Sequence, residues 1–341
     1  MMVKKYKITK YLSIFSFLLL VLPLSVSYVA VSKTLKTDKE KTPYNESIEY
    51  YALIVGVGSY QEEIISPIYL DITAKNLYES LLDNGWKENN MRLLLNENAT
   101  KSALLESFNW LDDNEDQNDI VLFYFGGHSA NNLTLSYKEE GDFFDEYICP
   151  FDSKGTDRKN DVQDKELNKE LNKLDSKNVV VILDTCHSSG FFETKKKQGK
   201  DEFISGFTED IIEDSRTVIM SCKENQRTWQ NSKGSIFGGY FVEALNTTYI
   251  DNVDKNNDEN ISAEEAFIYA KRKTIIFEFI DTIPKKSMLS LIIVNLFSYL
   301  SIKHTFIFFP IFFTLFRTLQ TPCIFDANPD IEIPLVSFYS L

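Results

Sequence analysis

The chain has 341 residues, 43% hydrophobic and 13% aromatic, enough apolar material for one substantial core with appendages. Its 36 basic and 50 acidic residues give a formal charge of -14, which repels nucleic acid and offers no broad polybasic surface to anionic lipid, so nucleic-acid binding is disfavoured. Four cysteines, Cys149, Cys186, Cys222 and Cys323, form no CxxC pair and no metal-ligand spacing, which argues against a zinc site.

Lys4, Lys5, Lys7 and Lys10 precede an apolar stretch from Tyr11 through Val26, with Ser25 and Ser27 spaced for cleavage. Residues 1–32 therefore read as a signal peptide or, if Tyr28 to Val31 prolong the apolar stretch, a membrane anchor. The protein is expected to be exported, either secreted or tethered to a membrane and facing outside. Sequons beginning at Asn45, Asn98, Asn132, Asn246 and Asn260 fit that expectation. In an exported chain a disulfide is possible, but Cys149 and Cys222 sit in apolar, strand-like settings where a buried free thiol is the commoner outcome. Residues 33–47, charged and polar around Pro43, read as a linker.

A folded domain begins near Ile48. Tyr51 to Val57 (YALIVGV) reads as a buried strand closed by Gly58, residues 71–84 as an amphipathic helix with Leu77, Leu81 and Leu82 on one face, and Met91 to Leu95 as a second strand. Thr100 to Leu111 reads as a helix capped by Thr100. Ile120 to Ser129 (IVLFYFGGHS) is an apolar strand ending in small residues and a histidine. Leu167 to Leu174 supplies another helix, and Val179 to Gly190 (VVVILDTCHSSG) is an apolar strand running into an acid, a cysteine and a glycine turn. Thr217 to Ser221 is a further short strand. Strands and helices alternate, which predicts an α/β fold, a mostly parallel sheet with helices on both faces, and a ligand site at the carboxyl ends of the strands. His128 and Cys186 both fall at such ends, and a thiol becomes a nucleophile near neutral pH when a histidine stands beside it.

The ordered set of segments ALIVGV, FYFGGH, FDEYICPFD (Phe144 to Asp152), LDTCHSSG (Leu183 to Gly190) and VIMSC (Val218 to Cys222) resembles the caspase and metacaspase group of cysteine peptidases over residues 48–250. The resemblance implies a caspase-like three-layer sandwich and a cysteine endopeptidase acting on protein or peptide substrates, without an organic cofactor. In it Cys186 attacks the peptide carbonyl, His128 protonates the departing amine, and the backbone amides of Ser129 and Cys186 bind the oxyanion. Asp184 and Gly126 line the substrate pocket, where a carboxylate suits arginine or lysine. His187 points to the other face if the strand continues, and His304 lies without context in an apolar segment.

Two positions depart from the family pattern. Ser129 stands where the family has glycine, and a left-handed φ there would strain a serine, predicting a slow enzyme that Ser129→Gly would quicken. Thr73 stands where metacaspases place a second pocket acid. Lys195, Lys196, Lys197 and Lys200 lie where such enzymes carry a processing loop, which suggests self-cleavage there.

Residues 251–283 read as an EF-hand-like loop and helix. Asp254, Asn256, Asp258, Ser262 and Glu265, with the carbonyl of Asn260, match the oxygen positions of a calcium loop, so Ca2+ is a candidate cofactor. Glu259 replaces the usual turn glycine, and the neighbouring Asn260 could take the left-handed conformation in its place, a shift that would distort the loop. Residues 284–316 include an apolar segment, 287–316, split by Lys303 and His304 into pieces too short to span a bilayer singly. A membrane hairpin, a buried insertion and sequence outside the working protein are its three readings. Residues 317–341 form the C-terminal tail. Two other functions share these features: a legumain-like asparagine-specific protease or transamidase, and a catalytically inactive calcium-binding interaction module.

Overall fold

The computed structural model describes residues 48–133, 144–155, 157–186, 216–222, 226–282, 320–326 and 332–337, all in one compact unit that begins at Glu46. The export segment and linker, His187, the lysine stretch at 195–200 and the apolar segment with His304 lie outside the described residues. Among the described residues no helix is long and apolar enough to cross a membrane.

The central sheet is built from β1 (Tyr50–Gly56), β2 (Met91–Leu95), β3 (Ile120–Gly126), β7 (Asn178–Asp184), β8 (Thr217–Met220) and β12 (Cys323–Asp326). Its order is β12-β8-β7-β3-β1-β2; neighbours are parallel except β12, which runs antiparallel to β8. Parallel strands need crossovers, and these are α1 (Leu70–Asp83), α2 (Lys101–Asn114) and α3 (Asp164–Leu171). Because helices cover both faces, β3 is buried at every position and its sequence is continuously apolar instead of alternating. Val55, Phe123 and Val181 pack on one face with Leu104 and Phe108 of α2 and Leu167 of α3. On the other face Ile54, Leu122 and Ile182 share a core with Leu77 of α1, Phe237 of α4 (Ile236–Ala244) and Phe267 of α6 (Ala263–Thr282). This is the three-layer α/β sandwich expected from the sequence.

Local chemistry sets the helix starts. Thr100 accepts a hydrogen bond from the Ala103 N–H at 3.2 Å, and Ser235 accepts one from the Gly238 N–H at 3.1 Å. Helix α6 opens with a reciprocal capping box: the Glu265 N–H donates to Ser262 Oγ at 3.1 Å and the Ser262 N–H to Glu265 Oε2 at 3.3 Å. Helix α3 begins at Asp164, ahead of its apolar residues, because Asp164 and Glu166 suit the positive end of the helix dipole.

Smaller elements frame the strand ends. Strands β4 (Ser129–Leu133), β5 (Phe144–Ile148) and β6 (Val162–Gln163) form an antiparallel sheet, and β9 (Gln230–Asn231) and β10 (Gly234–Ser235) a short hairpin. After the short α5 (Ile250–Val253), β11 (Asn260–Ser262) pairs antiparallel with β13 (Pro334–Ser337).

Two sequence expectations about backbone strain are corrected. The described non-glycine residues with positive φ are Asn96, Asn257 and Glu259, so Ser129 is not left-handed and begins β4 without strain. In the loop before α6 Glu259 itself takes the turn at φ 64°, while Asn260 is extended in β11. Pairing with β13 holds Asn260 extended, so the left-handed residue falls one position earlier.

Candidate active site

Strands β3 and β7 run in register, and their last residues, Gly126 and Asp184, are direct partners. His128 and Cys186 each lie two residues further on, at the carboxyl ends of strands about 4.8 Å apart. The turn after β3 needs glycine for space. A Cβ on Gly126 would lie 2.8 Å from the Tyr124 hydroxyl, and one on Gly127 would lie 2.7 Å from the Phe125 ring.

His128 is held on every side. Its N–H donates to the Tyr60 hydroxyl at 2.6 Å, its C=O accepts from the Cys149 N–H at 3.0 Å, and its ring lies 5.2 Å from that of Tyr60 at 36°. Nε2 lies 2.9 Å from the carbonyl oxygen of Ser66. A carbonyl only accepts, so Nε2 carries the hydrogen and Nδ1 keeps the lone pair of the neutral ring. Sequence reasoning missed Ser66, because a backbone carbonyl has no residue signature. The one clue is Pro67, which biases the residue before it towards an extended backbone.

Cys186 is half-buried and, like Cys149, Cys222 and Cys323, carries a thiol that is in no disulfide. Burial pushes its thiol up, while the Thr228 backbone N–H and the Arg227 charge pull it down. Its carbonyl accepts a hydrogen bond from the Ser129 hydroxyl. The Thr185 carbonyl beside it accepts from Thr228 Oγ1 at 3.0 Å and from the buried Cys222 Sγ at 3.4 Å. The 226–229 loop is in turn braced by the buried Gln320, whose side chain donates to the Ser221 carbonyl at 2.6 Å and accepts from the Trp229 N–H at 2.8 Å. Trp229 and Tyr69 are exposed large aromatics here, and the Tyr69 N–H reaches Gln230, next to Trp229, at 2.8 Å.

Asp184 is completely buried. Oδ2 accepts from the Tyr124 hydroxyl at 3.1 Å and Oδ1 from the Ser235 hydroxyl at 2.9 Å. Burial pushes its carboxyl up to about 6, with the Ser235 and Tyr124 hydroxyls and the Gly238 N–H opposing. Gly238 leaves room for it: a Cβ there would lie 2.3 Å from Oδ2. Thr73 completes the nest by accepting the Ser235 N–H at 2.8 Å. Gly126 and Asp184 thus share one register position. The Asp184 carboxylate, however, is enclosed by hydroxyls, and the sequence did not indicate Tyr124 or Ser235.

The loop before α6 is wound tightly. Asp254 accepts the N–H groups of Asn257 at 2.6 Å and Glu259 at 3.1 Å, and Glu265 accepts that of Lys255 at 2.6 Å. Asn256 donates to Asp258 at 3.0 Å and to Glu332, two residues before β13, at 2.8 Å; the Asn260 N–H donates to Asp258 at 2.9 Å. Ser262 is engaged in the α6 cap. Among the described residues no group of three or more His, Cys, Asp or Glu is arranged to hold a metal ion.

The Caspase domain family of peptidases matches residues 49–272, more than half of the chain. No curated protein matches the sequence. Among solved structures, a Geobacter sulfurreducens protein is similar at 16% identity with a TM-score of 0.46, over 66% of this chain and 88% of that one. Caspase-1 from Spodoptera frugiperda is similar at 10% identity with a TM-score of 0.46, over 86% of this chain and 94% of that one.

Proposed function

The chain belongs to the caspase-domain family of cysteine peptidases, and from that premise we propose that it is an endopeptidase using Cys186 and His128 and cutting after arginine or lysine. The observation that supports the reading is the in-register pairing of Gly126 with Asp184, since His128 and Cys186 each follow two residues beyond that shared sheet edge. Nδ1 of His128 takes the Cys186 proton, and the thiolate adds to the peptide carbonyl. The backbone N–H groups of Ser129 and Cys186 receive the oxyanion, and His128 returns the proton to the leaving amine. Water then hydrolyses the thioester, with His128 as base. Burial pushes the Cys186 thiol up, which makes a base beside it necessary to form the thiolate. In this reading Asp184 gives its charge to a guanidinium or ammonium group when that group displaces a hydroxyl from its carboxylate, with one acid instead of two because Thr73 is uncharged.

Calcium is the second part of the proposal. Asp254, Asn256, Asp258, Ser262 and Glu265 and the carbonyl of Asn260 offer oxygen donors at the spacing of a calcium loop, which suits a hard cation, and the loop takes left-handed turns at Asn257 and Glu259. Negative charge is concentrated there: Glu332 is pushed up by burial and then by Glu265, Glu264 and Asp258. A bound ion would neutralise this cluster and tie β11 to the segment leading into β13.

The test is cleavage of peptides with arginine, lysine, asparagine or aspartate before the scissile bond, with and without calcium, using Cys186→Ala as blank. Cys186-dependent cleavage after basic residues is expected. Cleavage after asparagine supports the legumain-like reading instead, and no cleavage by the folded, calcium-loaded protein supports an inactive interaction module.

A further inference from the structure

One loop touches His128 twice. Residues 57–68 leave β1 and return to α1, and both Tyr60 and Ser66 lie within them. The loop is fastened along its length: the Val57 N–H donates to the Gly126 carbonyl at 2.8 Å, the Ile68 N–H to the Gly58 carbonyl at 2.8 Å, and the Gln61 N–H to the Phe151 carbonyl at 2.9 Å. Asn96 Oδ1 accepts the N–H groups of Gly58 and Ser59 at 2.8 and 3.0 Å. Tyr60 is therefore presented by a braced segment, with its hydroxyl desolvated enough to push its ionisation well above the ordinary phenol range.

We propose that Tyr60 is a positioning residue for His128: its hydroxyl anchors the backbone amide, its ring sets the imidazole plane, and Nδ1 is thereby kept facing Cys186. Among the described residues three polar groups fasten His128: those of Cys149 and Ser66 belong to the backbone, and the Tyr60 hydroxyl to a side chain. Without it the His128 N–H loses its acceptor at the start of the turn, so the backbone that carries the imidazole is less firmly placed even though the ring contact and the Ser66 carbonyl remain. Small errors in placing a proton donor slow the step that uses it far more than they weaken binding. The proposal rests on the peptidase reading above.

The test is Tyr60→Phe in the full chain, which keeps the ring and removes the hydroxyl, with two independent readouts. The first compares a peptide amide with the matched activated aryl ester, whose leaving group needs no proton from His128. Loss of one such hydrogen bond predicts about a tenfold fall in kcat on the amide, KM within about twofold, and a smaller fall on the ester, for which His128 serves as base but is not needed as acid. An equal fall on both substrates, or no fall, overturns the proposal. The second is hydrogen exchange of the His128 backbone amide, which Tyr60→Phe should accelerate at least tenfold; unchanged protection also overturns it. Wild-type protein that turns over neither substrate defeats the peptidase reading, and the exchange readout then still decides whether Tyr60 holds His128.

Discussion

The Ser129 hydroxyl donates to the carbonyl of Cys186, joining the first residue of β4 to the residue two beyond the end of β7. In the proposed mechanism these two residues supply the oxyanion amides, so the side chain ties one donor to the other. A glycine could not do this. Since Ser129 carries no left-handed strain, Ser129→Gly should lower kcat by about 2- to 10-fold, the value of one hydrogen bond, with KM little changed. Ser129→Ala should behave similarly, and steady-state kinetics of both variants checks it; faster turnover by the glycine variant would overturn the assignment.

In the proposed mechanism Asp184 links specificity to pH. Its carboxyl is pushed up to about 6, so it gains a proton as the pH falls through that value and loses the charge that holds a basic residue. Kcat/KM for arginine substrates should fall below about pH 6 more steeply than for substrates with an uncharged residue at that position. Asp184→Asn should abolish the difference and lower arginine cleavage by about 100-fold or more, as expected for leaving a buried guanidinium unpaired. Paired pH–rate profiles provide the measurement.

Glu278 is expected to make stability fall with rising pH. It is buried on α6, accepts the Gln320 N–H at 2.6 Å through Oε2, and has no hydrogen-bond partner for Oε1 among the described residues. Burial pushes its carboxyl up to about 7. The folded state therefore holds this proton more tightly than the unfolded chain. The resulting stability is complete below about pH 4.5 and is lost as the pH rises through about 7. Glu278→Gln should raise Tm at pH 8 by roughly 2–4 °C, the shift about 1 kcal/mol gives in a domain of this size, and should add little at pH 5. Thermal melts at the two pH values test the sign.

Glu259 sets the strength of the proposed calcium loop. Its φ of 64° costs a side-chain-bearing residue about 1 kcal/mol, which glycine avoids. Glu259→Gly should therefore tighten calcium binding several-fold, while Asp254→Asn should weaken it. Calorimetric titration with calcium, on the full chain, reads both; a wild-type protein with no calcium-dependent heat removes the cation from the mechanism.

The parts of the site legible in the sequence are those set by local pattern. The continuous apolar runs of β3 and β7 announce buried parallel strands, and their last residues put His128 and Cys186 at the same edge. Tyr60, Ser66 and the hydroxyl nest around Asp184 were not legible, because each acts through a contact made by tertiary folding. Tyr60 lies in a polar loop that resembles many others, and Ser235 reaches Asp184 only because β10 and α4 fold over β7. The antiparallel β12 was hidden for a different reason: it lies beyond the long apolar segment, and only the completed sheet edge shows its pairing with β8.

The position of Gln320 has a consequence for how the protein matures on the ribosome. The loop beside Cys186 is braced by a residue far downstream of every strand that carries a proposed reacting group. A nascent chain that has already made β1, β3 and β7 still lacks this brace and the strand that closes the edge of β8. The 226–229 segment therefore gains this brace only after translation has passed Gln320. Contacts of such long sequence separation form late and slowly. Delayed competence of this kind would keep a peptidase silent while its own chain is still exposed beside it.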